Sequence, residues 1–360
     1  MRYPELDTPC LIVDLDGAER NIRRVQAGAS QAGVQLRPHT KTHKSAYFAR
    51  MQVEAGARGI TCAKLGEAEA MAAAGFDDIL IAYPLIGPLK LARLAALARQ
   101  VRRLIVSLDS DEVAAALSSV GEQLGRPLAV YAELDTGLHR VGRAPGADAV
   151  AFCRGLDRFP GIRLAGIMSH AGPTWKAGSP AEILAFVQAE AQMMAGVKAA
   201  LGRPDLALSV GATPTAHLLH ATPGITEARP GTYIFGDRNL IGLGLTTEAD
   251  CAARVLTTVV SHPVPDRAVV DAGSKSLAMD PYRDGGHGLV AGRPELRVAR
   301  LSEEHGVLEF PAGVELKVGD RLEIIPNHIC PAVNLFDRVY GVRAGRVVAE
   351  IPVEGRGKST

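Results

Sequence analysis

Two lysines and two histidines crowd into RPHTKTHK, Arg37 to Lys44, directly behind the apolar run VQL. An amine held among other cations favours its neutral form, and a neutral lysine amine attacks carbonyl carbon to give a Schiff base. Lys41 sits closer to the expected strand end than Lys44 and is the candidate; the plain alternative is a solvated basic loop. Near the other end of the chain, PNHICP spaces His328 and Cys330 at i, i+2. On a strand this spacing puts imidazole and thiolate on one face. That is half of a zinc-like site, which water or substrate can complete. The alternative is a structural cysteine beside a satisfied histidine. His170, in SHAGPTW, ends an apolar run where a general base would stand, although a lone histidine at a strand end is commonly structural. Arg140, in ELDTGLHRVG, follows a glycine-containing turn and by itself reads as a surface arginine. SVGATPTA (209–216) and EARPGTYIFGD (227–237) bring small residues and backbone N–H groups to where a phosphate binds, or are ordinary turns.

These groups need a scaffold, and the first ~235 residues supply an alternating one. Apolar or β-branched runs fall at 10–15, 34–39, 59–64, 78–83, 103–108, 128–134, 163–170 and 206–212. Segments of helical length and period intervene at 17–32, 44–55, 65–74, 88–99, 110–124, 146–157 and 180–202. Buried parallel strands read as apolar runs, with helices as their crossovers. Eight such units predict a (β/α)₈ TIM barrel, whose functional groups gather at the C-terminal strand ends. An open doubly wound sheet is the alternative, without a GxGxxG behind an early strand to support it. Beyond about residue 240, short strands joined by Gly, Pro, Asp and Asn predict an all-β second domain.

Composition narrows the function. Lys and Arg number 40 against 39 Asp and Glu, a net charge of +1, and aromatic residues are only 4%. Such a balance argues against a broad nucleic-acid or polybasic membrane surface, and the scarcity of aromatics against a base-stacking platform. Apolar runs stop well short of the ~18 residues of a membrane span. The five cysteines are odd in number and form no CxxC pair, so a reducing, cytoplasmic setting is expected. The N-terminus lacks the charged-then-apolar form of a signal peptide.

Together, TPCLIVDLDGAERNI, RPHTKTHKS, GITCAKLGEAEAM, PGTY and PNHICPAVNLFDRVYGV resemble the D-threonine aldolase and D-serine dehydratase family. These are fold-type III pyridoxal-phosphate enzymes related to the alanine racemase N-terminal domain. The resemblance runs from about residue 5 to the closing GRGKS. It implies a pyridoxal-phosphate barrel over 12–238 and a β domain, formed by 1–11 and 239–360, that carries the metal site. In it Lys41 would carry pyridoxal 5'-phosphate as a Schiff base and Arg140 would lie near the cofactor ring. Gly211, Ala212, Thr213 and Tyr233 would hold the phosphate, and His170 would stand near the substrate β-hydroxyl. His328 and Cys330 would bind a divalent metal, with Zn²⁺ favoured and Mn²⁺ or Mg²⁺ as alternatives.

The implied enzyme is a lyase acting on β-hydroxy-D-amino acids, with D-threonine aldolase first. D-serine or D-threo-3-hydroxyaspartate dehydratase is the runner-up. A non-catalytic cofactor carrier or an amino-acid racemase stands behind them. His-x-Cys is closer in style to the zinc-dependent D-serine dehydratases, whereas chain length and the TKTHKS form are closer to the aldolases. A homodimer is implied as well.

Overall fold

The computed structural model describes residues 3–283 and 285–360. The first two residues of the expected 1–11 segment lie outside them. The chain forms two compact units. One comprises Arg23–Lys41, Phe48–Gly231 and Gly357–Thr360; the other comprises the chain up to Ile22, Thr42–Tyr47 and Thr232–Arg356.

Strand β1 (Cys10–Asp14) belongs to the second unit, described below. Eight parallel strands build the first: β2 (Gln35–Leu36), β3 (Ile60–Cys62), β4 (Asp78–Ile81), β5 (Arg103–Leu108), β6 (Leu128–Leu134), β7 (Ile162–Ser169), β8 (Ala207–Val210) and β9 (Glu227–Ala228). Their order is β2-β9-β8-β7-β6-β5-β4-β3, and a parallel bridge from His39 to Thr61 joins the two edges into a barrel. Helix α1 (Leu15–Gln31) leads from β1 into β2, and the crossovers are α2 (Ala46–Glu54), α3 (Leu65–Ala73), α4 (Pro88–Gln100), α5 (Asp111–Leu124), α6 (Ala147–Gly155) and α7 (Pro180–Leu201).

Local chemistry explains the longest helix. Ser179 Oγ accepts the Glu182 N–H, Pro180 starts the first turn, and Gly202 ends the helix at φ 65°. The hydroxyl satisfies an orphan donor, and glycine takes the left-handed C-cap without steric cost. Inside the barrel Leu80, Ile105, Tyr131 and Met168 pack as one buried layer, as the apolar strand pattern requires.

One ion cluster is sealed into this unit. Arg37 is fully buried; its Nε lies 2.9 Å from Glu227 Oε2 and its Nη1 2.7 Å from Asp78 Oδ1. It ties together the segments that begin β4 and β9 and the one that follows β2. Removing one member of a buried cluster leaves uncompensated charge, which costs about 3–5 kcal/mol. Arg37→Met is therefore expected to lower the unfolding free energy by about that amount, read as a shift of the guanidinium midpoint. A midpoint within error of the parent protein's would contradict it.

The second unit is a nine-stranded sheet. Its strands after β1 are β10 (Ala253–Val264), β11 (Arg267–Val270), β12 (Leu289–Val290), β13 (Arg297–Leu301), β14 (Gly306–Glu309), β15 (Arg321–Ile325), β16 (Arg338–Arg343) and β17 (Arg346–Pro352). Six of them close on themselves in the ring β10-β11-β14-β13-β12-β15, all antiparallel. Only short helices interrupt: α8 (Arg238–Gly242), α9 (Ser274–Leu277) and α10 (Ile329–Val333).

The run 10–15, counted above as the first barrel strand, is corrected here. β1 pairs antiparallel with β10 and parallel with β16. The eighth barrel strand is instead β9, only Glu227–Ala228. β1 is as buried in its sheet as the barrel strands are in theirs, so an apolar run fits either, and its partners decide. Among the described residues no helix is long and apolar enough to cross a membrane.

Candidate active site

Lys41 occupies the short 3-10 turn Thr40–Thr42 that follows β2. The turn is anchored one residue earlier. Thr40 Oγ1 donates to Glu67 Oε1 at 2.5 Å, and Glu67 Oε2 accepts the Ala63 N–H at 2.9 Å. Glu67 is fully buried, so α3 holds Thr40 from inside the fold. His39 Nδ1 faces the Lys41 N–H at 3.4 Å.

His170 follows β7 directly. Its Nδ1 lies 2.7 Å from the Gly211 carbonyl, which also accepts the Ala171 N–H at 3.0 Å. A carbonyl oxygen only accepts, so Nδ1 carries the proton and Nε2 keeps its lone pair. Burial, then the charges of Lys41, Arg140 and Arg229, push the His170 pKa down to about 3. His39 is held well below its ordinary value by burial first, then by Lys41, Arg229 and His170. Two neutral imidazoles thus stand among three cationic side chains.

Arg229, just past β9, is buried, and its Nη1 donates to Ser209 Oγ while Nη2 donates to the Ser169 carbonyl, both at 2.5 Å. A Cβ built on Gly211 would meet Arg229 Nη2 at 3.0 Å, so glycine allows the close approach of this backbone to the guanidinium. Ala212, extended, precedes the 3-10 helix Thr213–Ala221, where no side chain caps the first turn.

Arg140 is exposed on the loop after β6. That loop is shaped by Asp135 Oδ1, which accepts N–H bonds from Gly137 and His139, and by Asp109 Oδ2, which accepts the Gly142 N–H. Gly142 has φ 107°, and a Cβ there would lie 2.6 Å from the Asp135 nitrogen. The glycine spacing of DTGLHRVG follows from that fold-back. Glu133, whose pKa burial raises against the pull of Arg229 and Arg140, keeps a buried Oε2 without a hydrogen-bond partner among the described residues. Tyr233, the remaining phosphate candidate, is buried on the 3-10 turn Thr232–Ile234 of the second unit.

The second unit brings His328 and Cys330 together, although not on a strand as expected. His328 is extended and caps α10, and Cys330 lies in its first turn. His328 Nδ1 stands 3.5 Å from Asp280 Oδ1, and the imidazole is hydrogen-bonded to Cys330. Burial opposes protonation of His328. The bonds to Asp280 and Cys330 and the charges of Cys330 and Asp237 outweigh it and raise its pKa to about 10. A metal taking the other ring nitrogen, Nε2, would displace a proton from the ring. Buried Asp237 caps α8 through Leu240 N at 3.0 Å and reaches Ile329 N at 3.3 Å; burial lifts its pKa to about 6. Among the described residues, no group of three or more His, Cys, Asp or Glu is arranged to hold a metal.

Sequence reasoning passed over Glu67, Arg229, Asp237 and Asp280. Arg229 follows Gly-Ile-Thr-Glu-Ala, which carries no strand pattern and so offered no signal. The carboxylates act across long sequence separations and offered none.

A barrel with a lysine, neutral imidazoles and an anion-seeking arginine at its C-terminal strand ends defines a barrel enzyme of the pyridoxal-phosphate type. The alanine racemase N-terminal domain family matches residues 13–239 and a serine dehydratase domain matches 252–342. The chain belongs to the alanine racemase N-terminal domain family, in the branch that adds the serine dehydratase domain. It is similar to the D-threo-3-hydroxyaspartate dehydratase of Delftia sp. (strain HT23), 36% identical over 90% of this chain and 91% of the relative. The crystal structure of D-threonine aldolase from Filomicrobium marinum is 32% identical, with a TM-score of 0.91 over 99% of this chain and 98% of that one. A cysteine-to-alanine mutant of D-threo-3-hydroxyaspartate dehydratase, solved in a metal-free form, is 34% identical with a TM-score of 0.90 over 98% of each chain. These relatives are aldolases and dehydratases, all of them lyases, and the family implies pyridoxal phosphate.

Proposed function

We propose that the chain is a pyridoxal-phosphate lyase that cleaves the Cα–Cβ bond of 3-hydroxy-D-amino acids such as D-threonine, giving glycine and an aldehyde. The donor set of the barrel fits the cofactor. Lys41 would anchor it, Arg140 would face its ring, and Gly211, Ala212, Thr213 and Tyr233 would hold its phosphate. Buried Arg229 supplies positive charge beside imidazoles that add none. When bound, pyridoxal phosphate supplies a sink for the electron pair left on Cα.

One observation carries the choice of cleavage. His170 is fixed by the Gly211 carbonyl as the Nδ1–H tautomer, so its Nε2 carries a lone pair to accept a proton, and burial keeps the ring from holding a proton of its own. Retro-aldol cleavage requires loss of the β-hydroxyl proton, and His170 would accept it. Loss of the hydroxyl needs a proton donor or a Lewis acid at that oxygen, and an unprotonated Nε2 is not a proton donor.

His328 and Cys330 would hold a divalent metal through nitrogen and sulfur, a donor pair that suits zinc. Asp280 would orient the imidazole from its other nitrogen, as carboxylates commonly do for ligating histidines. A bound metal supplies Lewis acidity toward a hydroxyl oxygen. The same pair favours a second reading, dehydration to a keto acid and ammonia, because a relative solved metal-free after loss of a cysteine is a dehydratase. A homodimer in the cytoplasm completes the proposal.

Incubation with D-threonine and with D-serine separates the readings. Equal amounts of glycine and acetaldehyde from D-threonine are expected. Pyruvate from D-serine with no aldehyde from D-threonine would overturn cleavage in favour of dehydration.

A further inference from the structure

Cys330 differs from the other cysteines in what surrounds its sulfur. Thr42 Oγ1 lies 3.3 Å from Cys330 Sγ and Thr232 Oγ1 lies 3.7 Å from it. The two hydroxyls are 288 and 98 residues distant in sequence and both threonines are buried. A thiol has one hydrogen to donate, so at least one of the two hydroxyls must donate to the sulfur. The hydrogen bond with His328 adds another neighbour. The sulfur therefore accepts at least one hydroxyl hydrogen bond, which holds it in a fixed place beside His328.

Cys62 provides the contrast. Thr40 Oγ1 is 3.5 Å from its sulfur, but that hydroxyl lies 2.5 Å from Glu67 Oε1 and has only one hydrogen to donate. Burial pushes Cys62 upward, and it pushes Cys10 and Cys251 to about 12 and Cys153 to about 11. These four are inert buried thiols.

We infer that Thr42, assisted by Thr232, positions Cys330 Sγ as a metal ligand and so sets the affinity of the His328–Cys330 pair for a soft divalent cation. The inference rests on the metal reading above. Thr42 is a positioning residue: it acts on the sulfur, and loss of its hydroxyl leaves both ligands in place. It also gives the TKT sequence a double use, since the residue following Lys41 serves the sulfur.

The test uses the full chain loaded with pyridoxal phosphate, stripped of metal by a chelator and titrated with Zn²⁺ or Co²⁺. Zinc affinity is read by competition with a chromophoric chelator, and the sulfur ligand by the sulfur-to-cobalt charge-transfer band. Thr42→Val, which removes the hydroxyl at similar volume, is expected to weaken zinc binding by about 10–100-fold and to shift the cobalt band. Thr42→Ser should restore both, and Thr232→Val should weaken binding less. Should Thr42→Val fail to fold, Thr42→Ser against Thr42→Ala is read in the same way. Wild-type zinc affinity in Thr42→Val, with the cobalt band lost in Cys330→Ala, overturns the inference. Should Cys330→Ala keep wild-type affinity, the metal reading itself fails and the inference falls with it.

Discussion

Lys41→Ala is expected to abolish the visible absorption of a lysine-linked cofactor and to lower lyase turnover by more than about 1,000-fold. Lys41 is placed for this by the 3-10 turn Thr40–Thr42, which Glu67 anchors through Thr40. The rival lysine of the motif is otherwise engaged. Lys44 Nζ donates to Asn334 Oδ1 at 2.9 Å, and the Lys44 carbonyl accepts the Gly355 N–H at 2.8 Å. Lys44→Ala should therefore keep the band and most of the turnover. Absorption spectra of the two variants decide the matter. A band that survives in Lys41→Ala and vanishes in Lys44→Ala would reverse the assignment.

The second large effect is at His170. His170→Ala should lower kcat and kcat/KM for D-threonine together by about 10²–10⁴-fold, the usual worth of a general base, while sparing the cofactor band. Its pKa of about 3 adds a pH signature. A base already neutral above pH 3 does not itself produce an acid limb near pH 6.5, so any such limb in the parent enzyme should persist in His170 variants with residual turnover.

The same depression has a sign for stability. The folded state holds His170 neutral, and the unfolded state takes up a proton below about 6.5. Between those limits the unfolded state binds more protons, so stability falls as pH drops from about 6.5 toward about 3. His39, held well below its ordinary value, acts in the same direction. His170→Asn should lose less thermal midpoint between pH 7 and pH 5 than the parent does. An equal or greater loss would show that His170 is protonated in the folded protein.

Much of the candidate site was legible in the sequence because its parts are contiguous. RPHTKTHK places Lys41 one turn behind a strand, DTGLHRVG spells out a loop folded back on Asp135, and His328 and Cys330 keep their separation of two under any fold. The barrel was legible too, since buried parallel strands are apolar on both faces and the helices between them are amphipathic. That reasoning misplaced Cys10–Asp14, because apolarity reports burial and not the identity of the hydrogen-bonded neighbour. It missed β9, because a strand of two residues carries no periodicity. It also put His328 and Cys330 on a strand, where a Pro-rich stretch folds instead into one helical turn.

What only the tertiary structure decided is the chemical state of these residues. His170 is held as the Nδ1–H tautomer because the Gly211 carbonyl reaches it from 41 residues away. Arg229 is an interior cation because Ser209 and the Ser169 carbonyl receive it. Cys330 differs from four other cysteines of identical chemistry because two distant threonines reach its sulfur. Residue type and local spacing are written along the chain. Protonation, tautomer and ligand character depend on desolvation and on the nearest charges and donors, and folding draws those from segments far apart in sequence.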